Sequence, residues 1–157
     1  MSNHEGMYHY KGAGLDNVWL RSGYEIHKTD YGMGVSIHDA DELHELIAET
    51  IITNPQKLRG QEVRFLRSMF GLSQEGMARM LSISRSTIAR WESDRNKEIP
   101  ADADKSIRFR YMLKLVEDPK ILKLIELLNE LDDFEDSIPL MFEETDKGWK
   151  RGVEEYA

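Results

Sequence analysis

Residues 72–92 read Leu72-Ser-Gln-Glu-Gly-Met-Ala-Arg-Met-Leu-Ser-Ile-Ser-Arg-Ser-Thr-Ile-Ala-Arg-Trp-Glu92. Ser73 and Ser84 each stand where a hydroxyl can cap the start of a helix, accepting a hydrogen bond from an otherwise unpaired backbone N–H. Each follows an apolar residue that can staple to one inside its helix, Leu72 to Met77 and Ile83 to Ile88. Two such starts, eleven residues apart, leave room for two short helices and a tight turn. With Gln74 as the first position, the fifth is Ala78, small enough to let the two helices approach. The ninth is Ser82, in the turn. Ile83 and Ile88, at the tenth and fifteenth, point to the core, and Trp91, at the eighteenth, packs the far end of the second helix. This spacing predicts a helix-turn-helix.

In such a motif the N-terminal half of the second helix projects and can enter a major groove. The residues there are Arg85, Ser86, Thr87, Ala89 and Arg90. An Arg can bridge O6 and N7 of guanine; Ser and Thr can bond to any base, and the Thr methyl can touch that of thymine. The N–H groups that open the first helix, at Ser73 and Gln74, suit a phosphate oxygen. Arg95 and Lys97 follow the second helix and can hold the backbone on the other side. The expected base contacts are Arg85, Ser86, Thr87 and Arg90, and the expected phosphate contacts Ser73, Gln74, Ser84, Arg95 and Lys97. Two of these have a second reading. Thr87 can serve the helix start, and Arg90 can equally reach a phosphate. Trp91 reads as core rather than as a stacking platform.

The stretch Leu72–Glu92 resembles the Xre/Cro-C1 helix-turn-helix family, which implies a five-helix domain that binds operator DNA. Where that family commonly has Gly in the turn, this chain has Ser82, which can take the same backbone at some cost. The wider layout is similar to the MqsA-type antitoxins: a small β-rich N-terminal domain, a linking helix, and an Xre-type domain ending in a Leu-rich helix. In that family an Arg directly before the aromatic–Glu pair reads bases, and Arg90 stands before Trp91-Glu92. A base-reading Asn lies four residues earlier, where this chain has Ser86. The family's N-terminal domain holds zinc through two Cys pairs, and this chain has no Cys, so toxin identity does not carry over. The resemblance implies a regulator whose N-terminal domain binds a protein partner and whose middle domain binds an operator.

Outward from the motif, Val63, Leu66 and Met69 or Phe70 predict a helix from Gly60 to Phe70, closed by Gly71. A further helix is expected from Ala103 to Val116. Pro119 opens a Leu-rich one that is apolar almost all round, which fits a buried element or a dimer seam. Upstream, Asp39 and Glu42 form a capping box for a helix that ends at Asn54-Pro55, and Pro55–Gly60 reads as a linker. The residues to Ile37 are β-branched, aromatic and Gly-punctuated, which predicts a small antiparallel sheet of two or three strands. The fold class is therefore α+β: a small N-terminal antiparallel β element with one helix (1–56), an all-α five-helix Xre-type helix-turn-helix domain (57–131) and an acidic C-terminal tail (132–157).

The net charge of −8 over 157 residues argues against a nucleic-acid binder until it is divided. Residues 1–56 carry −6, residues 57–116 carry +6 and residues 117–157 carry −8. A basic middle between acidic flanks suits a polyanion. The absence of Cys removes disulfides, thiol nucleophiles and thiolate zinc sites. No apolar run approaches the roughly 20 residues that cross a bilayer, and the N-terminus lacks a secretory core, so a cytoplasmic protein with no membrane partner is expected. An Arg/Ser/Thr surface offers no activated nucleophile or base, so no enzyme and no cofactor are expected. His38, Asp39, Asp41 and His44 are close in sequence, but Asp39 is better used as a cap and the two histidines are six apart, so no metal is expected either.

These readings converge on a sequence-specific transcriptional regulator of double-stranded DNA, an antitoxin-type autorepressor that binds a palindromic operator as a homodimer. The alternative is an interaction module that neutralises a basic toxin through its acidic N-terminal domain, with DNA binding secondary. A third reading, an enzyme using His38, Asp41 and His44 on a metal, would need bound metal and measurable hydrolysis. The acidic tail reads as a solvated appendage, or as a partner-binding or DNA-mimicking arm, since bulky apolar residues interrupt its acids.

Overall fold

Four short strands open the chain in a computed structural model that describes residues 6–131 and 139–152. β1 (Tyr8–His9) pairs antiparallel with β2 (Trp19–Leu20), and β3 (Tyr24–Thr29) with β4 (Gly32–Ile37). They form two separate two-stranded ribbons rather than one small sheet, and Gly23, at a φ of 81°, lies in the short connection between β2 and β3. The β3–β4 turn is closed by Thr29, whose Oγ1 donates to Gly32 O at 2.7 Å and accepts from Tyr31 N at 3.3 Å.

Asp39 caps α1 (Ala40–Thr53) as its sequence predicts, accepting from Glu42 N at 3.2 Å. It does so from a left-handed backbone, φ 42°, which Asp tolerates better than most residues. α2 (Gly60–Phe70) ends at Gly71, φ 70°. α3 (Gln74–Leu81) and α4 (Arg85–Ser93) are capped by the hydroxyls of Ser73 and Ser84. α5 (Ala101–Leu115) begins two residues before its expected start, since Pro100 fixes the backbone just ahead of it. α6 (Pro119–Glu130) opens at Pro119. α2–α6 are the five helices expected of the helix-turn-helix domain, and the α+β class is as expected.

Met1–Leu122 form one compact unit. Its core is shared. Leu15, Ala48 and Ile52 from the N-terminal part lie in the same buried cluster as Val63, Leu66, Met77, Ile88, Ile107 and Tyr111. The linker is knit into it: Leu58 N donates to Asp104 Oδ2 at 2.8 Å, and Leu58 O accepts from Ile99 N at 3.0 Å.

α2 has no side-chain cap. Its first N–H groups are satisfied instead by the loop after α4, Gly60 N on Lys97 O at 3.1 Å and Gln61 N on Arg95 O at 3.2 Å. That approach requires Gly60. A Cβ there would collide with the Trp91 carbonyl oxygen and stand 2.7 Å from that of Asp94. Both obstacles are backbone, so neither can step aside. Gly60→Ala is expected to cost at least the upper end of the roughly 1–3 kcal/mol typical of overpacking. Urea unfolding checks this, and an unchanged midpoint would contradict it.

Lys123–Ala157 form a second compact unit. Part of the acidic tail is ordered as a hairpin of β5 (Phe142–Thr145) and β6 (Gly148–Arg151), which the sequence reading did not anticipate. Its turn repeats the chemistry of the β3–β4 turn: Thr145 Oγ1 donates to Gly148 O at 2.8 Å and accepts from Lys147 N at 3.3 Å. Both turns read Thr-Asp-X-Gly, and both glycines have positive φ, 122° at Gly32 and 107° at Gly148. Phe134, Ile138 and Tyr156 of the tail lie outside the described residues. No helix among the described residues is long and apolar enough to cross a membrane.

Candidate nucleic-acid interface

The turn between α3 and α4 is set by Ser82, whose backbone is left-handed at φ 56°, ψ 43°. The next N–H, that of Ile83, closes the end of α3 on Ala78 O at 2.9 Å. Ala78 and Ile88 are buried, and Ile83 and Trp91 pack on the core, as the motif spacing requires. Their inward placement leaves Arg85, Ser86 and Arg90 exposed on α4, with Ala89 half-buried between them. Four residues separate Arg85 from Ala89 and Ser86 from Arg90, so the four side chains share one face.

The hydroxyl network at the start of α4 is local. Ser84 Oγ accepts from Thr87 N at 3.2 Å and lies 2.7 Å from Thr87 Oγ1 and 3.0 Å from Ser86 Oγ. Thr87 is half-buried and serves the helix start, while its neighbours Arg85 and Ser86 face outward. Ser73 Oγ is engaged with Gly76 N at 3.0 Å. Arg85, Arg90 and Lys97 are exposed, and their side chains have no hydrogen-bond or ion-pair partner among the described residues. Arg95 is exposed, but one guanidinium nitrogen donates to Gly14 O at 2.8 Å.

Behind this face lies a pair that sequence reasoning missed. Arg67 of α2 meets Glu92 of α4 through two parallel hydrogen bonds, Nε to Oε2 and Nη2 to Oε1, each 2.8 Å. Arg67 Nη1 also donates to Leu72 O at 3.0 Å, and Gln74 Nε2 reaches Glu92 Oε1 at 3.4 Å. The carboxylate is 6% exposed and the guanidinium 20%. The Glu92 hydrogen bond raises the Arg67 pKa against the opposing effect of burial. The pair ties the start of α3 and the end of α4 to one residue of α2. Gln74, expected to meet phosphate, is therefore oriented by Glu92 through its side chain.

A second polar cluster joins the N-terminal segment to the helices. Arg59 Nη2 meets Asp16 Oδ1 at 3.1 Å, and Arg59 Nε meets Glu62 Oε1 at 2.8 Å. Gln61 accepts from Asp16 N at 2.9 Å and donates to Asp16 Oδ2 at 3.2 Å. Burial raises the Asp16 carboxyl, but the hydrogen bonds from Gln61 and Arg59 outweigh it and leave the pKa below its ordinary value. Glu62 goes the other way: burial raises it more than Arg59 lowers it, and its Oε2 is buried without a hydrogen bond among the described residues. The histidines do not converge. His38 Nε2 lies 3.6 Å from Glu25 Oε1, and His44 Nε2 lies 2.7 Å from Tyr10 OH. Among the described residues no group of three or more His, Asp and Glu side chains is placed to hold a metal ion.

Residues 60–133 match the helix-turn-helix domain family. No curated protein and no solved structure matches the chain. The matched span begins at the first residue of α2 and takes in α3, the Ser82 turn, α4, α5 and α6. Residues 60–133 thus carry a helix-turn-helix domain, which supports a DNA-binding regulator. In that domain α4 is the second helix of the helix-turn-helix, and its outward face is the one described above.

Proposed function

We propose that this protein is a sequence-specific repressor that binds a palindromic operator as a homodimer and acts as an antitoxin-type autorepressor. The observation that carries the reading is the exposed, unpaired Arg85 and Arg90 on one face of α4, held there by buried Ile88 and Glu92. Arg85, Ser86 and Arg90 specify bases, and Thr87 assists through its methyl group. Ser73, Gln74, Ser84, Arg95 and Lys97 set the register on phosphates, with the caps at Ser73 and Ser84 offering helix N-termini as well as hydroxyls. Two copies sit on successive major grooves, about 34 Å apart or a multiple of it.

The resemblance to MqsA-type antitoxins supports the autoregulatory part. A second reading has its own support. Ile26, Tyr31 and Met33 of the β3–β4 ribbon are exposed, and residues 1–56 carry a net charge of −6. Exposed apolar side chains on an acidic segment suit a basic protein partner, so toxin neutralisation through this segment is the alternative role.

Two substitutions test the DNA assignment. Arg90→Ala is expected to cost about 1–3 kcal/mol on the preferred site and to relax discrimination at one base pair. Unchanged discrimination would reject base reading by Arg90. Lys97→Ala is expected to weaken all duplexes alike and to lower the salt dependence by about one phosphate contact. An effect confined to one base would contradict the phosphate role. Both are read by fluorescence anisotropy over a salt series.

A further inference from the structure

A cleft of about 360 Å³ opens between the Gly12–Gly14 loop, α1 and α2. Its apolar lining is Ala13, Phe65 and Met69, and its polar lining is Arg64, Arg95, His44, Gln61 and Ser68. No carboxylate lines it among the described residues. The Arg64 side chain is exposed and has no hydrogen-bond or ion-pair partner among the described residues, while the Arg95 guanidinium has only the neutral carbonyl of Gly14. Two arginines thus line one concavity that has no carboxylate in its lining, and the Asp16 carboxylate bonded to Gln61 is already paired with Arg59.

The walls are built rather than incidental. A Cβ on Gly12 would stand 2.6–2.8 Å from the Tyr10 ring, so only Gly lets the loop lie against it. Tyr10 is 7% exposed, and its hydroxyl fixes the His44 ring, which packs edge-on against Phe65 with centroids 5.9 Å apart. Gly14 takes a φ of 79° and turns its carbonyl to Arg95. Contacts within the chain hold the loop, the histidine and the arginine in place, which lowers the ordering cost of binding a ligand.

We propose that this cleft binds a small organic anion, its carboxylate between Arg64 and Arg95 and its apolar body against Phe65 and Met69. A guanidinium bonds an anionic acceptor more strongly than a neutral carbonyl. Binding therefore draws Arg95 away from the phosphate it is assigned in the DNA reading, and the anion weakens operator binding. That consequence rests on the proposed function; the binding itself does not.

The test uses the full chain and sodium benzoate as the probe, with sodium acetate and matched sodium chloride as comparators. By ¹H–¹⁵N NMR of the protein alone, benzoate is expected to shift the Gly12–Gly14 amides and the Arg64 and Arg95 side-chain N–H signals saturably. Acetate should bind at least about tenfold more weakly, because it leaves the apolar wall uncovered. Arg64→Ala, at an exposed site without partners, should keep the fold and bind benzoate about tenfold more weakly. Shifts no larger than those from chloride, or equal benzoate affinity in Arg64→Ala, would overturn the site. So would an Arg64→Ala variant that binds duplex with a lower salt slope but keeps full benzoate affinity, since the cleft would then serve the DNA backbone. Anisotropy on a labelled duplex is the second arm. Benzoate should lower wild-type affinity more than equal ionic strength of chloride, and should do so less in Arg64→Ala. Saturable benzoate binding with unmoved duplex affinity overturns the coupling and upholds the site. If no duplex binds at all, the DNA reading has failed, and the NMR arm still decides the site.

Discussion

Replacing Glu92 by Ala is expected to destabilise the protein by about 3–5 kcal/mol, the usual cost of removing one partner from a buried ion pair. The reason is the guanidinium left behind. Arg67 is only 20% exposed, and two of its nitrogens meet Glu92 alone among the described residues. Water reaches that position poorly, so the lost hydrogen bonds are not replaced. The second consequence is geometric. Without Glu92 the end of α4 loses its tie to α2, and Gln74 at the start of α3 loses its partner. DNA binding should therefore fall even under conditions where the variant remains folded. Chemical denaturation gives the stability change. The double variant Arg67→Met/Glu92→Leu separates charge burial from packing: it is expected to recover most of the stability, because neither charge is then left unpaired. A loss in Glu92→Ala of under 1 kcal/mol would show that Arg67 is adequately hydrated where it stands.

Arg108→Ala is expected to have a comparable effect for a different reason. Arg108 Nη1 donates to Ile51 O and Ile52 O at 3.0 and 3.2 Å, and also to Asn54 O, while Nη2 donates to Gln56 O. These carbonyls lie at the end of α1 and in the linker after it, where the helix dipole favours a cation, and Ile51 O also accepts from Asn54 N at 3.4 Å. Nε meets Asp104 Oδ1, and Asp104 Oδ2 holds Leu58 N. Removing Arg108 leaves a largely buried carboxylate unpaired and releases α1 from α5. A loss of about 3–5 kcal/mol is expected, with unfolding that starts at α1 and the linker. Hydrogen exchange checks this: the amides of α1 should lose protection more than those of α3. Uniform loss across the domain would contradict the assigned role.

What the sequence made legible is what local chemistry controls. Ser73, Ser84 and Asp39 were readable as caps because a cap bonds within three residues of itself, and Gly71 as a stop because only its own backbone matters. The apolar spacing from Met77 to Trp91 placed the turn and the outward face of α4 for the same reason. The unread parts depend on distance. Arg67 and Glu92 are 25 residues apart, and Arg108 reaches carbonyls more than 50 residues upstream. No period links such residues. The bond from Arg95 to Gly14 was equally invisible, and it makes an expected phosphate contact part of a cleft wall. The β5–β6 hairpin is a different case. Its Thr-Asp-Lys-Gly turn matches the earlier Thr-Asp-Tyr-Gly, so comparing the two short stretches would have revealed it.

The outward face of α4 is tested most directly by selecting bound duplexes from a random pool, with the wild type and Arg85→Ala/Arg90→Ala side by side at low ionic strength. The wild type should enrich a two-fold symmetric sequence with half-site centres about one helical turn apart, or a multiple of it. The double variant, with α4 still folded, should enrich none. A wild-type pool that stays random, or the same motif recovered with both arginines removed, would contradict the account.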